Sequence, residues 1–212
     1  MSTPRGRFIT LEGIEGAGKS TVLQTLQRAL AQRGTRCVAT REPGGTPLAE
    51  RLREILLERG AETLTVEAET LLMFAARSVH LSGLIRPALA SGSWVLCDRF
   101  TDATRAYQGA GRGVSHELIE QLARVVQGSL EPDLTLLLDT PVELGLERAR
   151  GRRARHVAAD RFEAESLAFF GRVRQRYLEL AAAHPSRIRV IDARQSAEAV
   201  AAEALAMLDA LT

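Results

Sequence analysis

Five short apolar runs, Phe8–Leu11, Cys37–Thr40, Trp94–Cys97, Leu134–Leu138 and Ile188–Ile191, alternate with long stretches of helical spacing. Strands so largely apolar, without a regular polar face, need cover on both sides, and helices between them allow parallel crossovers. The expected fold is therefore α/β, a parallel sheet flanked by helices on both faces. Helices are expected at Thr21–Arg33, Pro47–Leu57, Val66–Ala90, His116–Gln127, Val142–Arg150, Phe162–Ala183 and Ala197–Leu211, where apolar residues recur at three- and four-residue intervals. Gly16, Gly44–Gly45, Gly109–Gly113 and Gly151 punctuate the series. With 212 residues and 45% hydrophobic content, the chain supports one substantial core, and residues 1–212 are expected to form a single domain.

The first strand leads into Gly13-Ile14-Glu15-Gly16-Ala17-Gly18-Lys19-Ser20, which matches the phosphate-loop pattern G-x-x-x-x-G-K-[ST] at every fixed position. Strand, glycine turn and helix follow in the order that pattern requires. Backbone N–H groups of the loop and of the helix N-terminus can face a phosphate chain, Lys19 can reach the β and γ oxygens, and Ser20 can ligate Mg²⁺. Lys19 is also the only lysine, all other cations of its class being arginine. A compact ammonium has been kept where a planar guanidinium would not fit.

Other classes are disfavoured. A net charge of +2 with 4% aromatic residues lacks the basic excess and stacking groups of a nucleic-acid binder. Cys37 and Cys97 sit in apolar runs and read as small buried hydrophobes, and the four histidines are dispersed without metal-ligand spacing. The N-terminus has no apolar leader, and no segment approaches the roughly 18 apolar residues of a membrane span, so a cytosolic location is expected.

Ligands of open α/β sheets bind beyond the carboxyl ends of the strands, which here meet Glu12, Arg41-Glu42, Asp98-Arg99, Asp139 and Asp192. Asp139 reads as a helix cap, and Asp192 as a cap or turn residue. Asp98 could hold Mg²⁺ through water and Arg99 could clamp an acceptor phosphate, or the two could form a structural ion pair. Arg148, Arg150, Arg152, Arg153, Arg155 and Arg161 crowd one helix end and the segment after it. Most suit a solvated face, but phosphoryl transfer needs positive charge over the moving group, which one or two of them could bring on a lid. On the helix Val66–Ala90, Thr70, Met73, Phe74, Arg77 and Leu81 share a face, either as a base platform beside a cation or as a core stripe. Thr104, Tyr107 and Gln108 offer a hydroxyl, a phenol and an amide that could read the polar edge of a base.

Taken together and in order, Leu11–Thr21, Thr40–Thr46, Phe74–Arg77, Asp98–Phe100, Ala106–Gly109 and Asp160–Glu163 resemble the thymidylate kinases in their bacterial form, a family of P-loop nucleoside monophosphate kinases. The resemblance spans nearly the whole chain. It implies a P-loop kinase fold with a five-stranded parallel sheet and an arginine-rich lid at about residues 148–161. It implies a homodimer, with neither nucleic acid nor membrane as partner. It also implies transfer of the ATP γ-phosphoryl group to dTMP with Mg²⁺ as cofactor, for dTTP synthesis. By resemblance, ATP is bound by Gly13, Ile14, Glu15, Gly16, Ala17, Gly18, Lys19, Ser20 and Thr21, and the metal by Ser20 and Asp98. The same likeness gives dTMP to Glu12, Pro43, Met73, Phe74, Arg77, Arg99, Thr104, Tyr107 and Gln108. Arg77 and Arg99 would hold its phosphate, and Tyr107 would crowd the sugar 2′ position. Lys19 and Arg99, with Arg150 and Arg153 from the lid, would be catalytic, since Glu15 leaves the loop without an arginine. Met73 stands where family members commonly carry an aromatic residue, so the thymine platform lies between Met73 and Phe74. Ala110 replaces a family glycine, and Gly151–Ala159 is longer than the usual lid. A kinase acting on another small acceptor is the nearest alternative. A nucleotide switch is excluded because no Asn-Lys-x-Asp sequence is present.

Overall fold

A computed structural model describes residues 5–58, 63–153, 162 and 165–211. Strands β1 (Phe8–Glu12), β2 (Cys37–Arg41), β3 (Trp94–Asp98), β4 (Leu134–Asp139) and β5 (Ile188–Asp192) form one parallel sheet in the order β2-β3-β1-β4-β5. Each strand runs one residue past its apolar segment because the backbone ladder continues although the side chain becomes charged. Register places Leu11 level with Asp98, Arg41 level with Asp98, and Asp139 level with Asp192. The charged residues therefore share one edge. The chain leaves central β1 to build one side of the sheet and then the other, so that edge opens into a crevice beside β1.

The helices are α1 (Lys19–Gln32), α2 (Pro47–Leu57), α3 (Val66–His80), α4 (Arg86–Ala90), α5 (Thr101–Thr104), α6 (His116–Gln127), α7 (Val142–Arg153), α8 (Leu167–Ala183) and α9 (Ala197–Asp209). Leu81–Ile85 and Arg105–Gly111 are π-helical turns. One sheet face packs Ile9, Leu11, Leu96, Leu136 and Leu138 against α1 and α9. On the other, Phe8, Val95 and Cys97 meet Leu81, Ile85 and Leu89, while Leu137 and Ile188 meet residues of α7 and α8. No helix among the described residues is long and apolar enough to cross a membrane.

Four sequence expectations change. The helix Val66–Ala90 is interrupted by the wider turn at Leu81–Ile85. The helix expected from Phe162 starts at Leu167, where the Ser166 hydroxyl accepts from the Phe169 N–H and stops the helix extending backwards. Gly151 lies inside α7, and Gly109 and Gly111 lie in the second π-helical turn instead of a loop. A Cβ on Gly111 would lie 2.5 Å from Cε2 of Phe169, so that glycine serves close packing of α8. Asp139, expected as a cap, instead grips Arg174 of α8 through both oxygens at 2.7 and 2.8 Å. Asp192 is a turn residue as expected, accepting from the Arg194 N–H at 3.0 Å, and Cys37 and Cys97 are free thiols.

Candidate functional site

The phosphate loop bridges β1 and α1, with Gly13, Gly16 and Gly18 at φ of 134°, 76° and 96°. A Cβ on Gly16 would collide with the Gly145 carbonyl, so α7 leans directly on the loop backbone. Lys19, the first residue of α1, donates from Nζ to the carbonyls of Gly13 and Ile14, both at 3.0 Å. Burial lowers its pKa to about 8, and the nearby Arg99 charge acts in the same direction.

Arg99 follows β3 and is the one non-glycine residue with positive φ, 72°, among the described residues. A left-handed conformation at a side-chain-bearing residue costs energy and persists only where its surroundings hold it. Here the guanidinium is held over the loop. Nη1 donates to the Gly13 carbonyl at 3.0 Å and the Tyr177 hydroxyl at 3.3 Å, and Nη2 to Glu15 at 2.9 Å and the Tyr107 hydroxyl at 3.0 Å. The Tyr107 hydroxyl in turn donates to the Glu15 carboxylate, at 2.8 Å to Oε2. Behind this layer the Glu12 carboxylate accepts from the Phe100 N–H at 2.8 Å and the Tyr177 hydroxyl at 2.6 Å. Burial, reinforced by the charge of Asp102, raises the Glu12 pKa to about 7.

A cavity of about 200 Å³ opens on one side of the loop. Among the residues expected there, Pro43, Met73, Arg77, Arg99, Thr104, Tyr107 and Gln108 all line it, together with Glu15, Lys19, Ser20 and Asp98. Two do not. Glu12 is fully buried, and Phe74 is only 2% exposed in a core cluster with Ile119 and Ala123. Phe74 packs beneath Arg77, its ring centre 4.8 Å from the guanidinium carbon, so Met73 and not Phe74 faces the cavity. Sequence reasoning missed Glu42, Arg53, Leu57, Phe100 and Phe162 on this wall. Glu42 and Phe100 were adjacent to chosen residues. Nothing local in α2 signals that Arg53 and Leu57 reach the site.

Arg77 is 2% exposed and paired, Nε donating to Glu42 at 2.7 Å and Nη2 to the Thr104 hydroxyl at 2.9 Å, while buried Nη1 has no partner among the described residues. Gln108 donates to Glu69 at 2.8 Å. Asp98 Oδ1 is likewise buried without a partner among the described residues. Asp98 and Ser20 line the same cavity, a carboxylate and a hydroxyl of the kind that suits a hard cation completed by phosphate and water. No cluster of three acidic, histidine or cysteine ligands exists among the described residues.

A second cavity, about 640 Å³, lies across the loop between α1, α7 and the β5–α9 turn. Gly16 and Gly18 line both cavities, while Ala17, Thr21, Arg148, Gln195 and Ser196 line only the second. Arg148 donates to the Ala193 carbonyl at 2.7 Å. Gly13 and Ile14 line neither cavity, because their carbonyls hold Lys19 from behind. Arg150 is exposed on α7 and also lines neither; the side chain of Arg153 and residues 154–161 lie outside the described residues.

The family model described as thymidylate kinase matches residues 11–204. A thymidylate kinase from Pseudomonas syringae pv. syringae is 58% identical over 191 residues, covering 90% of this chain and 89% of its own. One from Ectopseudomonas mendocina is 56% identical over 206 residues, covering 97% and 96%. The crystal structure of thymidylate kinase from Ehrlichia chaffeensis superposes with a TM-score of 0.77 at 33% identity, covering 97% of this chain and 99% of that one.

The two shifted groups make stability depend on pH in opposite senses. Glu12 is raised from 4.5 to about 7, so its contribution is complete below pH 4.5 and is lost as pH rises through 7; Lys19 is lowered from 10.5 to about 8, so its burial penalty is relieved as pH rises from 8 to 10.5. Glu12→Gln should abolish the first effect. Urea unfolding from pH 4.5 to 7.5 should show wild type losing up to about 3 kcal/mol relative to the variant, and parallel profiles would refute the assignment.

Proposed function

The chain belongs to the thymidylate kinase family, and from that premise we propose that it transfers the γ-phosphoryl group of ATP to dTMP, giving dTDP and ADP, on the way to dTTP. The observation that carries the reading is a phosphate loop forming the shared wall of two cavities, with Gly16 and Gly18 on both and Lys19, next to Gly18, on the first. ATP occupies the second cavity with its phosphates along Gly16–Thr21, and dTMP the first. An acceptor phosphate oxygen attacks the γ-phosphorus as the bond to the β–γ bridging oxygen breaks. The acceptor is already an anion, so the protein needs to supply position and positive charge rather than a base. Ser20 and Asp98 would hold Mg²⁺, which would supply positive charge to the phosphate oxygens.

Lys19 exchanges the loop carbonyls for phosphate oxygens, and Arg99 exchanges Glu15 for the acceptor phosphate. Arg77 takes a different role from the expected clamp. Its charge is already met by Glu42, and the unpaired nitrogen Nη1 would suit a neutral carbonyl on the base. Thr104 and Gln108 flank that edge, Met73 supplies apolar contact, Pro43 shapes the wall, and Tyr107, held by Glu15 and Arg99, crowds the sugar 2′ position. The lid at about 148–161 brings further cations, with Arg150 and Arg153 as candidates and Arg148 beside the donor phosphates. A cytosolic location belongs to the same reading.

The assay is ATP–Mg²⁺ with dTMP, dUMP, dCMP, dAMP and thymidine, scored by labelled phosphoryl transfer. dTMP should be preferred and Lys19→Ala should cut turnover at least about 100-fold with the fold retained. Preference for another monophosphate would replace the acceptor, and near-normal turnover by Lys19→Ala would sink the mechanism. We further propose a homodimer, because the neighbouring helices α2, α3 and α6 leave Leu48, Ile55, Leu71 and Val125 exposed. Sedimentation should give twice the 23.1 kDa chain mass, and a monomer at micromolar concentration would contradict it.

A further inference from the structure

The carboxylate that neutralises Arg77 is itself held from behind. Glu42 Oε2 accepts from Arg77 Nε at 2.7 Å, and its other oxygen, Oε1, meets His80 Nδ1 at 3.1 Å. A carboxylate can only accept, so Nδ1 carries the proton. In the neutral ring that leaves Nε2 as the acceptor for the Thr40 hydroxyl, 2.8 Å away. The imidazole is 0% exposed and lines neither cavity. Gly45, at φ 87°, closes over it, and a Cβ there would collide with both the ring and the Thr40 hydroxyl. Water therefore has no room to replace either hydrogen bond. The chain Thr40, His80, Glu42, Arg77, Thr104 runs from the edge strand to the acceptor cavity with a hydrogen bond at every link.

We propose that His80 is a positioning residue for acceptor recognition: through Nδ1 it fixes the Glu42 carboxylate, which holds Arg77 in the wall of the first cavity. A carboxylate held at one oxygen alone can swing about its terminal bond, and Arg77 Nη1 swings with it. A buried hydrogen-bond network of this kind specifies geometry only when every member is satisfied. The role is confined to the acceptor side, since no link of the chain touches the second cavity. The proposal rests on reading the first cavity as the acceptor site.

Two polar variants of similar size separate the two ring nitrogens. In His80→Asn the amide nitrogen can occupy the place of Nδ1 and keep the bond to Glu42; in His80→Gln the amide reaches the Nε2 position and keeps only Thr40. His80→Gln should raise the KM for dTMP about tenfold, the scale of one lost hydrogen bond to a charged group, with kcat and the KM for ATP within about threefold of wild type. His80→Asn should stay within about threefold on all parameters. Thermal unfolding of both variants verifies that each is folded. A His80→Asn variant as impaired as His80→Gln, or a KM for ATP that moves with that for dTMP, would overturn the proposal. Wild type runs in the same assay: if it ignores dTMP, the substrate assignment fails separately, and the same order of variants is required with whichever monophosphate it accepts.

Discussion

Glu12 ends the central strand in a place water does not reach, and its two carboxylate oxygens are taken by the Phe100 amide and the Tyr177 hydroxyl. Much of the site follows from that attachment. Binding the Phe100 amide draws the chain beyond β3 toward β1, and Arg99 takes the turn in a left-handed conformation. Its guanidinium is thereby folded back over the phosphate loop, where the Tyr177 hydroxyl, already tied to Glu12, accepts from it. One buried acid thus relates β1, the exit of β3 and α8. It does so without lining either cavity.

The same economy governs the cations. Isolated buried charge is costly, so each cation aimed at a ligand rests on an internal acceptor: Lys19 on two loop carbonyls, Arg99 on Glu15, and Arg77 on Glu42. The resting partners also divide the labour. On the proposed reading, Lys19 and Arg99 would give up loop carbonyls and Glu15 when a phosphate arrives, whereas Arg77 would keep Glu42, which His80 and Thr40 hold in turn.

Much of this could be read in the sequence, for physical reasons. The strands were visible because a buried parallel sheet has no polar face, and the phosphate loop because its glycines and its lysine sit at fixed spacing. Motifs distant in sequence, around Pro43, Met73, Arg99 and Tyr107, do meet at one cavity. The misses arise where distant packing decides. Met73 and Phe74 both belong to one apolar stripe of the helix, and only the arrival of α6, through Ile119 and Ala123, assigns Phe74 to the core. Glu12 stands beside the loop in sequence, yet it is fully buried and bonded to the Phe100 N–H. Gly109–Gly113 has loop composition, but Phe169 fixes Gly111 in a π-helical turn. Arg148 looked like one member of a basic run until α7 set it against the β5–α9 turn.

The central claim is that two nucleotides meet end to end across the phosphate loop, with Lys19 and Arg99 leaving internal partners to do so. A crystal structure of the wild-type protein with dTMP and ADP–Mg²⁺ tests it most directly. The account predicts the dTMP phosphate within hydrogen-bond distance of Arg99, which has released Glu15, thymine against Met73 and Arg77 Nη1, and Lys19 Nζ on the ADP phosphates. Density for dTMP outside the first cavity, or a Lys19 still bound to Gly13 and Ile14 with both nucleotides present, would contradict it.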